Sequence, residues 1–182
     1  MRSLEQACHP APSSGGSAGS AVPWSRFASE APQLAEQGEA LLEQYRMAFL
    51  GTATADAEPR VHPVCPAVLD GHLLVGIRRA TPKYGDLRRD PRCVLHALPG
   101  EGDQEFLVRA VAREPADARI RQLAAAPDGS GVLVDDQDVL FELLIRAAFT
   151  ARYEVKVVDG QADYRATRAS WFPGRQPIRD DA

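Results

Sequence analysis

Between Arg60 and Ile77 the chain reads RVHPVCPAVLDGHLLVGI: an extended apolar run, an Asp-Gly pair, then a second apolar run. Asp-Gly between two such runs is the strongest short hairpin signal, because a type I′ turn needs positive φ at both central residues. Two prolines in the first run narrow the options further. Pro63 and Pro66 each lack a ladder donor, so their strand needs an edge or a bulged position. A chain organised round this hairpin is a β protein with a sheet edge or a bulge near residues 60–69.

The rest of the chain supports that reading. Leu34, Leu41, Leu42 and Tyr45 share one helix face over Leu34 to Tyr45, with Gly38 a modest weakness. Ala48 to Thr54, Arg92 to Leu98 and Glu105 to Arg113 are β-prone, and Phe106, Val108, Ala110 and Ala112 share a face opposite Arg109 and Arg113. Pro115 is expected to open a helix with a stripe of Ala116, Ile120 and Leu123, closed by Pro127. Val139 to Ile145 fits a strand or a short helix. Tyr153, Val155 and Val157 alternate with polar residues, and Asp159-Gly160 turns that strand into a last one ending near Trp171. Short strands with two Asp-Gly turns and few helices imply a mostly antiparallel barrel, closed or half closed.

Residues 1–30 carry a Pro-, Gly- and Ser-rich stretch with little to bury, so we expect a disordered arm there, one domain over 31–175 and a tail over 176–182. No apolar run approaches the ~20 residues that cross a bilayer, and Met1 to Pro10 has no apolar core of a secretory signal. The three cysteines, Cys8, Cys65 and Cys93, are too few and too scattered for a disulfide scaffold. The expected location is a reducing cytoplasm. A net charge of −4 argues against a nucleic-acid partner.

The most informative stretch for chemistry is Gly76 to Leu98, GIRRATPKYGDLRRDPRCVLHAL. Thr81 is a good N-cap and Pro82 suits the first helical position. Lys83 then falls in the first turn, where the helix dipole disfavours a cation. An anion on the exposed N–H groups would explain it, since helix N-termini bind phosphate. Arg78, Arg79, Arg88, Arg89 and Arg92 surround it against only Asp86 and Asp90, in a chain with just one other lysine, Lys156.

Other signals are weaker. His62 with Cys65, and Cys93 with His96, have zinc-like spacing, but positions three apart on a strand face opposite sides and cannot share an ion. No metal site is expected. No nucleophile elbow, P-loop or dinucleotide fingerprint occurs. Trp171-Phe172-Pro173 would either lid the barrel core or wall a planar ligand, which makes Trp171 a candidate substrate-pocket residue.

The order of helix, LGTAT strand, polar turn, PRVHPV strand, Asp-Gly hairpin, then T-P-K and L-R-R-D-P-R-C-V-L resembles the FMN-binding split-barrel superfamily related to pyridoxamine 5′-phosphate oxidase. Its pattern is a strand pair, (L)AT…DG-x-P-x-V-x-P, followed by K-x-x-N-L-x-x-(D/N)-P-R-V. The likeness covers Leu34 to Leu98, and more loosely Phe106 to Trp171. It implies a split β-barrel of six to seven antiparallel strands with peripheral helices, a homodimer with the flavin between subunits, and hydride transfer involving a small organic substrate. By the same resemblance Lys83 holds the flavin phosphate with Thr81 nearby. Arg60, Val61, His62 and Pro63 line the isoalloxazine ring, Gly76 and Ile77 pass under the ring or ribityl chain, and Arg78 and Arg79 reach phosphate. The catalytic residues stay unassigned.

Two departures stand out: the family's Asn before Leu is read at Gly85, and Asp56-Ala57-Glu58 replaces the first Asp-Gly. The C-terminal motif by which vitamin-B6 oxidases hold pyridoxal phosphate is not visible in Tyr164 to Ala182. Related branches use the deazaflavin coenzyme F420, or hold flavin or haem without turnover, with His62 or His96 as the axial ligand in the haem case.

Overall fold

The structure, a computed structural model, describes residues 20–100, 103–125, 132–133, 135–158 and 161–181. Two helices, α1 (Trp24–Glu30) and α2 (Pro32–Tyr45), precede β1 (Ala48–Ala53), β2 (Pro59–Val64), β3 (Pro66–Leu69) and β4 (His72–Arg78). Helix α3 (Pro82–Arg89), β5 (Arg92–Ala97), β6 (Glu105–Arg113) and α4 (Ala118–Ala124) follow, then β7 (Asp138–Val158), β8 (Gln161–Trp171) and β9 (Ile178–Asp181).

The sheet runs β2-β1-β5-β6-β7-β4-β3, antiparallel at every pairing. Its two ends, β2 and β3, are consecutive in the chain and joined through Cys65. The sheet therefore curls into a barrel that stays split between them. The stretch expected as one strand over 60–69 is two, with Pro63 opposite Phe49 on one edge and Pro66 opposite Val75 on the other. Both prolines occupy the edge positions that a missing N–H demands. Asp70 (φ 48°) and Gly71 (φ 77°) make the expected tight turn.

Strand β7 fuses two stretches that the sequence reading kept apart. Arg109 pairs with Ala147 but Ala110 with Ile145, so Arg146 is an extra residue at a bulge. Phe141, Leu143 and Ile145 face the core before it and Ala148 after it. The phase of the alternation flips at Arg146, which hides one long strand from a period-two search. Along its other edge β7 meets β4 over 138–142 and β8 from 148 onward, and Val22 bridges Ile145 in the gap.

Val22 belongs to the expected disordered arm over 1–30, and that boundary is corrected. Trp24 and Phe27 are buried, Trp24 meets Phe27 at 5.1 Å, and Phe27 meets Trp171 at 4.9 Å. A seven-residue helix is not stable alone, so only this burial, about 1.5–3 kcal/mol for each large apolar side chain, holds it in place. Residues 1–19 lie outside the described residues. The expected tail over 176–182 is corrected too: Ile178–Asp181 is a strand paired with β8. Helix α4 starts at Ala118, with Asp117 as N-cap accepting the Arg119 N–H, and not at Pro115. It buries Ile120 and Ala124, while Leu123 is exposed.

Gly38 reads in the sequence as a weakness of α2, yet a Cβ there would stand 2.4 Å from the Phe106 ring. That ring packs on Trp24 at 6.0 Å and on Phe27 at 6.4 Å, and so has little room to retreat. Glu142 on β7 is wholly buried on the barrel's outer side. Its Oε2 accepts from Arg113 at 2.8–2.9 Å and its Oε1 accepts from His72 Nδ1 at 2.7 Å.

Two outcomes follow for stability in urea unfolding. Gly38→Ala lowers it by about 1–2 kcal/mol through overpacking, although helix propensity alone predicts a gain; increased stability would contradict the packing. Arg113→Ala leaves the Oε2 of a buried carboxylate without its cationic partner and costs about 2–3 kcal/mol. Adding Glu142→Gln to Arg113→Ala recovers part of that loss.

Candidate functional site

The expected site residues come from β2, the end of β4 and α3. Helix α3 is seated on the barrel by Leu87 and by Tyr84, which meets Phe141 at 6.2 Å. Its first turn points back at β2, and Lys83 Nζ donates to the Pro63 carbonyl at 3.2 Å. Thr81 occupies the N-cap position without capping. Its hydroxyl donates backwards to the Arg78 carbonyl at 2.7 Å, so the first turn of α3 has no side-chain cap.

On β2 the side chains alternate. Arg60 and His62 face inward beside Thr52 and Leu50, while Val61 and Pro63 face outward beside Gly51 and Phe49. Val61 is 64% exposed and Phe49 42%, an apolar strip on the outside of the sheet. His62 Nε2 is buried without a partner. Burial first, then the charges of Lys83 and Arg60, push its imidazole below the usual value, so the ring is neutral at pH 7. Lys83 and Arg60 therefore each stand within electrostatic reach of His62.

Other expected residues stand apart from this group. Ile77 is wholly buried in the core, and a Cβ on Gly76 would stand 2.1 Å from the Val132 carbonyl oxygen, so the chain itself covers that glycine. Arg78 donates to Asp135 at 2.9 Å and lies 3.6 Å from Asp138. Arg79 donates to the Tyr84 hydroxyl at 3.3 Å and sits over its ring. Trp171, the candidate pocket wall, is fully buried against Phe27, which is the core-lid alternative and a correction to a pocket role. Its indole N–H lies near the Glu30 carboxylate but outside good hydrogen-bond geometry. Cys65 is exposed at the strand break, whereas the Cys93 thiol is buried and pushed up to about 12 by that burial. Cavities of about 360 and 380 Å³ flank α2, and none of the expected site residues lines either.

The residue that ties the group together was counted in the sequence only as a charge. Asp86 is 3% exposed and accepts from Thr52 Oγ1 at 2.9 Å, Arg60 Nη1 at 3.0 Å and Arg89 Nη2 at 3.0 Å. Burial alone would raise its carboxyl. The hydrogen bonds from Arg89 and Thr52, with the charges of Arg60 and Arg89, outweigh that and hold it below the usual carboxylate range. The available signal was spacing: three residues after Lys83, where K-x-x-N-L places its Asn, stands Asp86 and not Gly85. Gly85 itself faces open space.

No family model matches the chain, and no curated protein matches it by sequence. Solved structures do match in three dimensions. A haem-binding protein from Mycobacterium smegmatis superposes with a TM-score of 0.52 at 15% identity, covering 70% of this chain and 56% of that one. The chain thus spans little more than half the length of that protein. A protein from Clostridium acetobutylicum related to general stress protein 26, of the pyridoxinephosphate oxidase family, gives 0.51 at 15% identity over 73% of this chain and 93% of that one. HutZ, the haem storage protein of Vibrio cholerae, gives 0.50 at 17% identity over 64% and 89%. What these structures share with the chain is architecture: it has the split-barrel fold of the pyridoxamine 5′-phosphate oxidase-like proteins.

Proposed function

We propose that the chain binds FMN and acts as an oxidoreductase, moving hydride to or from a small organic substrate as a cytoplasmic homodimer. One observation carries this: Lys83 on the first turn of α3 and Arg60 on β2 both act on the His62 ring, beside a helix start that has no side-chain cap. Two cations at the positive end of a helix dipole suit a phosphate monoester. The exposed strip of Phe49 and Val61 lies on the opposite, outward face of β2, where a second copy of the chain would pack and complete the site.

The flavin supplies the redox chemistry, and the protein supplies anchoring, orientation and field. Lys83, already held at the Pro63 carbonyl, turns its remaining donors on the phosphate. Arg60 adds a planar fork. His62, with Nε2 unpartnered, offers one further polar atom beside Arg60. The fold of the Clostridium protein supports this reading.

A second reading is haem binding without turnover, with His62 as axial ligand. Its support is the neutral, partnerless ring nitrogen and the haem named for two of the structural neighbours. An absorbance spectrum of the purified protein separates the two: flavin bands support the first, and a Soret band lost in His62→Ala supports the second. Competition between FMN and coenzyme F420 in one titration distinguishes a flavin enzyme from a deazaflavin-dependent reductase.

In the same titration Lys83→Ala weakens FMN binding at least tenfold, since a charge-assisted phosphate contact contributes about 1.5–3 kcal/mol. Unchanged affinity would place the site elsewhere.

A further inference from the structure

We propose that Asp86 is a positioning residue for the phosphate end of the cofactor, acting through Arg60; the inference rests on the FMN reading above. Asp86 gathers one donor from each of β1, β2 and α3: Thr52, Arg60 and Arg89. The two arginines are held differently. Arg89 Nη2 also donates to the Ala53 carbonyl at 2.7 Å, so that end of its guanidinium is committed to clamping α3 onto β1. Arg60 spends one nitrogen, Nη1, on Asp86, and its side chain keeps 35% of its surface open. A guanidinium carries five donors in a rigid fork. Fixing one arm inside the protein restricts the others to the open part of the side chain, near His62, which feels the charges of both Arg60 and Lys83.

An arginine on an edge strand, without that anchor, would sample many rotamers and lose that freedom on meeting an anion. Preorganisation removes this loss. The carboxylate has a second, opposing effect, because it cancels one of the two guanidinium charges and weakens the pull on a phosphate. The two roles predict opposite signs. If Asp86 acts as a charge, its neutralisation tightens phosphate binding; if it acts as an anchor, neutralisation loosens it. A purely structural clamp changes stability and leaves phosphate selectivity alone.

The test is the affinity of the full chain for FMN relative to riboflavin, which lacks the phosphate, measured by quenching of flavin fluorescence. Asp86→Asn lowers the preference for FMN at least tenfold, and in an Arg60→Ala background it adds no further loss. Arg60→Lys keeps the charge but not the fork. It gives a loss of similar size, and on a partly exposed side chain it serves if Asp86→Asn does not fold by circular dichroism. A preference unchanged or increased in Asp86→Asn, or retained in Arg60→Lys, overturns the positioning role and leaves the FMN reading standing. Wild-type protein that binds FMN no better than riboflavin, or binds neither, overturns the FMN reading and the role of Asp86 with it.

Discussion

A break of one residue shapes this molecule. Cys65 separates β2 from β3, and because these are the two ends of the sheet, a single extended segment forms both lips of the split barrel. Pro63 and Pro66 hold the split open by chemistry, since neither can donate a hydrogen bond to a further strand. A closed barrel would bury both lips. The split one leaves the carbonyl of Pro63 and the inward side chains of β2 available to α3, and Lys83 takes up that carbonyl.

One lip is then braced by α3 from the inward side of β1 and β2. Asp86, carried on α3, reaches Thr52 on β1 and its cross-strand neighbour Arg60 on β2, so one buried carboxylate ties the helix to that strand pair. A charge so placed is tolerable only because every lone pair in use meets a donor and two of the donors are cationic. Glu142 repeats the device on β7, where His72 of β4 and Arg113 of β6 satisfy it. Both acids sit where neighbouring strands and helices must be fixed at one register, which apolar packing enforces less sharply than paired charges.

Inside, an aromatic group from α1, β6 and β8 closes the barrel. Trp24, Phe27, Phe106 and Trp171 meet at centroid distances of 4.9–6.4 Å, and Gly38 on α2 is flat enough to let Phe106 in. The same cluster explains why Trp171 lines no pocket. In this arrangement Phe49 and Val61 stay exposed on the outward face of β1 and β2, opposite the inward Arg60 and His62.

Local chemistry was legible from the sequence. The Asp-Gly turn, the edge prolines, the amphipathic face of α2 and the first-turn lysine of α3 each follow from a property of one residue or of a short period. Those properties held because no distant contact was needed to express them. What required the tertiary structure was everything set by partners far away in the chain. Trp24 and Phe27 form a helix only because Phe106 and Trp171 receive them, and β7 is continuous only because β6 absorbs the bulge at Arg146. Asp86 reads as one charge among many until folding brings Thr52 and Arg60, 34 and 26 positions away, onto its oxygens. Sequence spacing reports periods along a backbone, whereas a buried ion network is a meeting of segments, and only the curl of the sheet decides who meets.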